Sequence, residues 1–251
     1  MLRREMILSV ALFLVILALW QLAVGFWQIP PWLLPSPLAI AKALWQTAPL
    51  IGQHSLTTIV ETSVGFSIAV LLGLGAGLVI DLFPLLKRIL YPYLIFSQTV
   101  PLVAVAPLLI LWFGYGLLPK FITVVLVCFF PVTISLIDGL AATDQDMVNL
   151  LRSMGAGPWQ VFRFVRWPNS LPSLFSGLKI AATYSVMAAV IGEWLGAGSG
   201  LGVYLTRASH SFLTDRVFAS ILVITLLSFL YFGLITAVAR LALPWTRTKE
   251  K

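Results

Sequence analysis

The chain has 251 residues, 60% of them hydrophobic and only 10% charged, with a mean hydropathy of +1.00. Soluble domains carry roughly 25% charged residues, and one soluble core of this length cannot bury so much apolar surface, so the bilayer is the solvent for most of the chain. The net charge of +7 comes from Lys and Arg scattered among short polar stretches, which argues against a basic nucleic-acid-binding face.

In chain order, six apolar spans are predicted, near 6–27, 58–80, 89–113, 121–137, 174–195 and 217–243. Each approaches the ~20 residues a helix needs to cross ~30 Å of hydrocarbon. Backbone satisfaction in lipid makes them helices, so the expected fold is all-α and polytopic, in one membrane domain (1–251, core 58–243). The first span follows Arg3 and Arg4. It is too long for a signal-peptide core and lacks a small-x-small cleavage site, and reads as a retained helix. Pro30, Pro31, Pro35 and Pro37 follow, then a short amphipathic piece. In the second span Gly73, Gly75 and Gly77 permit close helix contact.

Pro101 and Pro107 in the third span each remove a backbone donor and favour kinks. Gln98 and Thr99 beside them either face protein and a water-filled path or pack ordinarily, with Thr99 bonded to its own backbone. These two, with Pro101 and Glu193, are the candidate solute-path residues. Glu193 has two readings: a gate or binding-protein contact, and a snorkelling carboxylate at the interface. Cys128 reads as a small buried hydrophobe. An outer loop at 196–215 carries Asp215. His54 and His210 read as surface residues, and Glu61 is given no role. The spacing supports no metal cluster, no GxxxxGK[ST] phosphate loop and no nucleophile–base grouping, so neither a cofactor nor catalysis by this chain is expected.

Lys and Arg orient the spans. With the N-terminus cytoplasmic, Arg3, Arg4, Lys87, Arg88, Arg152, Arg163, Arg166, Lys179, Arg240, Arg247, Lys249 and Lys251 fall at the inner side. Only Lys42, Lys120, Arg207 and Arg216 fall outside, twelve against four of the 16. Both termini are then cytoplasmic, and so is the one long polar interruption, 138–172.

Within that interruption Thr143 reads as a helix cap with Asp146 near the positive dipole end. Met147, Leu150, Leu151 and Met154 form an apolar stripe at helical spacing. Gly155 ends the helix in the left-handed C′ conformation. Gly157-Pro158 starts a second short helix with Trp159, Phe162, Arg163 and Arg166, which ends before Pro168. Ser170 and Pro172 open the fifth span. Such an elbowed pair is a docking surface for a soluble partner or, alternatively, an amphipathic loop lying on lipid.

Gly155, nine residues, Val165, one residue, Trp167-Pro168 resembles the EAA loop of permease subunits from binding-protein-dependent ABC importers. Asn149-Leu150-Leu151 stands in the Glu-Ala-Ala positions, so the carboxylate that many members carry there is missing, and Trp167 replaces a Leu. Gln98-Thr-Val-Pro101 through Pro107, Leu111-Trp-Phe-Gly114, and Gly192-Glu193-Trp194 with Gly200-Leu-Gly202 resemble the nitrate, sulfonate and taurine permeases. Leu151-Arg-Ser-Met-Gly155-Ala, Phe129-Phe-Pro131 and Ile191-Gly-Glu-Trp-Leu195-Gly are most similar to permeases for the pyrimidine precursor of thiamine, with riboflavin importers close.

The resemblance implies a type I (MetI-like) importer permease of six transmembrane helices in the bacterial inner membrane. It implies cytoplasmic ABC ATPase subunits that hydrolyse ATP, an extracytoplasmic solute-binding protein and a permease homodimer. It also implies a coupling loop at 139–171 that uses Met147, Asn149, Leu150, Leu151, Arg152, Met154, Gly155, Ala156, Trp159, Phe162, Arg163 and Pro168. Two other classes stand beside it. An ion-driven secondary transporter calls for mid-membrane charge and repeat symmetry. An integral-membrane enzyme calls for a catalytic polar cluster at one bilayer face.

Overall fold

A computed structural model describes residues 2–194 and 198–245, without the side chains of 2–4 and 6. The expected end of the fifth span at Leu195, the residues 196–197, and Arg247, Lys249 and Lys251 lie outside the described residues, as do the side chains of Arg3 and Arg4.

The described residues form helices α1 (Leu2–Phe26), α2 (Pro37–Gln46), α3 (Ala48–Leu82), α4 (Pro84–Ser97), α5 (Leu102–Phe113), α6 (Leu117–Ala141), α7 (Gln145–Ser153), α8 (Pro158–Val161), α9 (Trp167–Trp194), α10 (Leu201–His210) and α11 (Thr214–Ala242). Five helical stretches are long and apolar enough to cross a membrane, and α4 with α5 supplies a sixth crossing as a bent pair.

Packing centres on α6. Residues Gly65, Ala69, Gly73 and Gly77 repeat every four positions along α3 and meet Val124, Val132 and Leu136 on α6. Small residues let the backbones approach, which is how helices associate without a hydrophobic drive between them. Gly65 meets Val124 and Gly77 meets Leu136, so α3 and α6 run parallel, and α4–α5 must carry the chain back across between them. Gly75, expected at such a contact, faces open space. α9 runs antiparallel to α6, with Gly139 against Ser170, Gly177 against Pro131 and Gly192 against Lys120. Cys128 is buried there, its thiol donating to the Ala181 carbonyl, as its apolar surroundings predict. α11 covers another side of α9, while α1 touches little beyond α2 and the Trp20–Phe218 ring contact.

The third span is not a kinked continuous helix. α4 and α5 meet at 99°. The chain turns through three tight i to i−3 hydrogen bonds, from Gln98, Thr99 and Val100 to Ile95, Phe96 and Ser97. Pro101, with no N–H to continue the ladder, caps α5. Pro107 lies inside α5 and causes no break. The fifth helix starts at Trp167 rather than 174, which moves Lys179 from the expected inner edge to near mid-helix. The outer loop is not open either: it contains α10.

Candidate functional site

The α7 end of the bundle carries the elbow. Asp144, not Thr143, caps α7: its carboxylate accepts from the Asp146 amide at 2.9 Å, while the Thr143 hydroxyl donates back to the Leu140 carbonyl. Thr143 is one residue too early to be the cap, because α6 reaches Ala141. At the other end of α7, Gly155 sits at φ +84°. Its amide donates to Arg152 and the Ala156 amide to Leu151, both at 3.0 Å, which is a Schellman closure. The Gln160 amide oxygen accepts from the Gly157 N–H at 2.8 Å, and Pro158 opens α8 at its first turn.

The second short helix does not end before Pro168. One π-helical turn, Phe162–Arg166, joins α8 to α9, giving an unbroken helical stretch from Pro158 to Trp194. The wider turn sits where an α-helical carbonyl would meet the proline ring.

Val148 and Val161 turn inward and anchor the elbow. Outward stand Met147, Leu150, Met154 and Trp159, with Met154 74% exposed. Asn149, Arg152 and Arg163 are exposed beside them, and Leu151 and Ala156 are half-covered. Phe162 stacks on Trp159 at 5.6 Å and packs toward the core, so it braces the surface rather than extending it. Phe164, which the sequence pattern did not single out, is 65% exposed. It completes a hollow of about 260 Å³ with Leu151, Met154, Gly155, Ala156 and Gln160. Pro168 and Met147 line a neighbouring hollow of about 330 Å³ with Asp144 and Trp245. Contiguous exposed apolar groups with a polar rim mark an interaction surface. Behind it, Asp81 takes Arg166 at 2.9 Å and Lys87 at 3.7 Å, and Tyr91 donates to Asp138 at 2.7 Å. These contacts tie α3, α4, α6 and α9 together at this end.

The opposite end holds a buried polar network that sequence reading left as separate residues. Lys120 forms an ion pair with Glu61, both almost fully buried. Glu193 is 1% exposed, not a snorkelling carboxylate. It accepts from the Thr58 hydroxyl at 2.7 Å and from the Gly202 amide at 2.6 Å. Thr58 in turn accepts from the Leu201 amide at 2.9 Å, and His54 from the Gly200 amide at 3.0 Å. His54 is therefore buried, not a surface residue; His210 is exposed as expected. Three of the four amides that start α10, those of Gly200, Leu201 and Gly202, are thereby consumed. Gly200 and Gly202 are required for this: a Cβ at Gly200 would meet the Glu193 carboxylate, and one at Gly202 the Val190 carbonyl and Glu193. The GxG spacing after Gly192-Glu193 was the available signal.

Between the two ends, at the α4–α5 bend, lies a cavity of about 530 Å³ lined by Gln98, Leu102, Phe130, Pro131, Ile180 and Tyr184, among others. Of the four path candidates only Gln98 lines it. Thr99 bonds back to the Phe96 carbonyl at 2.8 Å, Pro101 shapes the bend, and Glu193 belongs to the network near α10. No group of three or more potential metal ligands occurs among the described residues.

A bundle with one bent crossing, a cavity at the bend and an exposed apolar elbow is compatible with a transport subunit. Residues 69–242 match the family described as binding-protein-dependent transport system inner membrane component, and the chain belongs to that family. It is 36% identical to the formylaminopyrimidine transport permease protein ThiX of Halalkalibacterium halodurans, over 94% of both chains. It is also 36% identical to a probable ABC transporter permease protein of Haemophilus influenzae, over 88% of this chain and 90% of the other. The identity to the riboflavin transport system permease protein RibX of Chloroflexus aurantiacus is 33%, over 92% of this chain and 87% of that protein. Among solved structures, an inward-facing MetNI methionine ABC transporter shares the fold at TM-score 0.60 and 18% identity, covering 79% of this chain and 97% of that one. The chain is thus a multi-pass inner-membrane permease subunit of an ABC importer. It is a non-catalytic component, and the ATPase is a separate subunit.

Proposed function

We propose that this permease imports the pyrimidine precursor of thiamine, working as two copies with two cytoplasmic ATPase subunits and an extracytoplasmic binding protein. The N- and C-termini and the segment 139–171 face the cytoplasm, as the Lys and Arg distribution favours, and 58–243 is the working core. The observation that carries the coupling role is the stripe Met147, Leu150, Leu151 and Met154, exposed except at half-covered Leu151 and held in place by the Gly155 closure. With Trp159 and Ala156 it supplies apolar anchors of the helix-in-groove kind. Arg152 and Arg163 orient the partner at the rim, and Asn149 offers an amide where many relatives offer a carboxylate. Phe162 and Pro168 hold the elbow to the fifth crossing.

The step from docking to transport follows from the unbroken stretch between Pro158 and Trp194. At 1.5 Å per residue it is a rod of roughly 55 Å. When the ATPase subunits close on ATP, displacement of the elbow tilts this rod, and Glu193 at its far end carries α10 with it. Access to the path then switches sides. Gln98, Thr99 and Pro101 belong to that path at the bend.

The pyrimidine reading is supported by the ThiX-like relative and by the apolar, aromatic lining of the cavity, which suits a flat heteroaromatic ring. Riboflavin, sulfonate, taurine and nitrate import are the competing outcomes of one experiment. The cognate binding protein is titrated with formylaminopyrimidine, riboflavin, taurine and nitrate. Tight binding of formylaminopyrimidine alone is expected. Preference for another of the four refutes the pyrimidine reading. Uptake that survives ATP depletion but not an uncoupler refutes ATP-driven import.

A further inference from the structure

Lys179 is out of place for a structural lysine. Gly177 packs on Pro131 and Ser135, and the Cys128 thiol reaches the Ala181 carbonyl, so Lys179, midway between them in the chain, is level with the 129–132 turn of α6 but on the side of α9 turned away from it. At 1.5 Å per residue that level is roughly 12 Å along α6 from Asp138 and roughly 15 Å from Lys120. It stands midway between the two charged layers of the bundle, at the depth where an ammonium is most costly in hydrocarbon. It is half-buried, and among the described residues its ammonium has no hydrogen-bond or ion-pair partner.

α9 is otherwise the most enclosed of the crossings. Lys179 borders its one uncovered face, which carries Ser176, Ile180, Thr183, Tyr184 and Met187. Ile180 and Tyr184 on that face also line the cavity at the α4–α5 bend. The Ser176 and Thr183 hydroxyls bond back to the Pro172 and Lys179 carbonyls, whereas an unpaired ammonium at mid-bilayer faces a water-filled path or a partner, not lipid.

Among the described residues a second copy of this chain offers no carboxylate at that depth to neutralise the charge. Glu61 and Glu193 lie in one polar layer and Asp81 and Asp138 in the other. Asp144 and Asp146 lie beyond it in α7, and Glu5 and Asp215 are in the first turns of α1 and α11.

We propose that Lys179 is a solute-contacting residue of the import path. Its ammonium donates hydrogen bonds, midway across the membrane, to an electron-rich acceptor on the solute. A carbonyl oxygen or ring nitrogen of a neutral heterocycle meets this chemistry, and so does the oxyanion of a sulfonate. The inference rests on the permease reading and deepens it, since it fixes where the solute is met and by what group.

The test uses the complete complex with ATPase and binding protein in proteoliposomes. Uptake of radiolabelled formylaminopyrimidine and of taurine is measured in separate arms, for wild type, Lys179→Arg and Lys179→Met. For whichever probe the wild type carries, Lys179→Met is expected to raise the uptake KM at least tenfold and Lys179→Arg to stay within about threefold. Co-purification of the ATPase, which reports an intact fold, is expected to match wild type in both. Unchanged KM in Lys179→Met overturns the proposal. A second measurement needs no transport: Lys179→Cys in a Cys128→Ala background is exposed to a small, charged, water-soluble thiol reagent. Labelling that the carried solute slows is expected. No labelling, or labelling indifferent to that solute, overturns the proposal. A wild-type complex that carries neither probe strikes the pyrimidine and sulfonate readings, while an unreactive thiol in the Lys179→Cys variant still counts against Lys179 alone.

Discussion

Gly155→Val separates the docking role of the elbow from its contribution to the fold. Gly155 sits at φ +84°, and a Cβ built there meets nothing within 4 Å. The Cβ therefore has room, and backbone strain dominates the cost. The left-handed conformation costs an L-residue about 1–2 kcal/mol, and about 3 kcal/mol is the upper end for such outliers. A β-branched side chain belongs at that upper end. At 1.4 kcal/mol per factor of ten, the native elbow loses roughly 5- to 150-fold in population relative to frayed alternatives. The core helices are untouched, so membrane insertion and yield are expected to match wild type, while ATPase co-purification and solute uptake fall. Because strain is the cause, the order should be Gly, then Asn, then Ala, then Val, since Asn tolerates left-handed backbone best of the three. Uptake in proteoliposomes and retention of the ATPase on tagged permease measure it. Undiminished uptake by Gly155→Val refutes the coupling role. Equal loss for Asn and Val refutes strain as the reason.

Two further perturbations address the α10 end. Glu61→Gln leaves the Lys120 ammonium buried without its counter-charge, and breaking a buried pair on one side costs about 3–5 kcal/mol; a marked drop in thermal midpoint in detergent is expected. The double variant Glu61→Gln, Lys120→Met should recover much of that loss, and failure to recover would mean that the pair is not the interaction being broken. Gly202→Ala forces a methyl against the Val190 carbonyl and Glu193; overpacking of this kind costs about 1–3 kcal/mol. Proteolysis within 198–210 is expected to quicken while the ATPase still co-purifies, and unchanged protection would contradict the pinning of α10.

The helical class and six crossings were legible because hydropathy over 20-residue windows is a strong signal, and the Gly155 closure because few residues besides glycine accept its backbone. The turn at Gln98–Pro101 was legible only as a kink. A proline announces that a ladder breaks but not the angle at which the two halves meet, here 99°. The extension of α9 through Pro168 was hidden because proline reads as a stop, and only the π-helical turn before it lets the helix continue. The α10-end network was illegible for a different reason. Glu61, Lys120, Thr58, His54 and Glu193 were left without a common role, because Lys120 and Glu193 are far from the other three in sequence and meet them only where α3, α6 and α9 end together. Gly65 and Ala69 extended the small-residue stripe beyond Gly73 and Gly77, whereas Gly75 was misassigned because it lies on the other side of the same helix.

An elbow beneath the fourth and fifth crossings that is held by a cytoplasmic ATPase must be reachable from one side of the membrane only. Met154→Cys in a Cys128→Ala background, 74% exposed at the wild-type residue, tests it in sealed right-side-out vesicles containing the whole complex. The account predicts that the introduced thiol is unreactive to an impermeant thiol reagent added outside and forms a short cross-link to the ATPase subunit. Reaction from outside, or no cross-link to the ATPase with and without ATP, would contradict it.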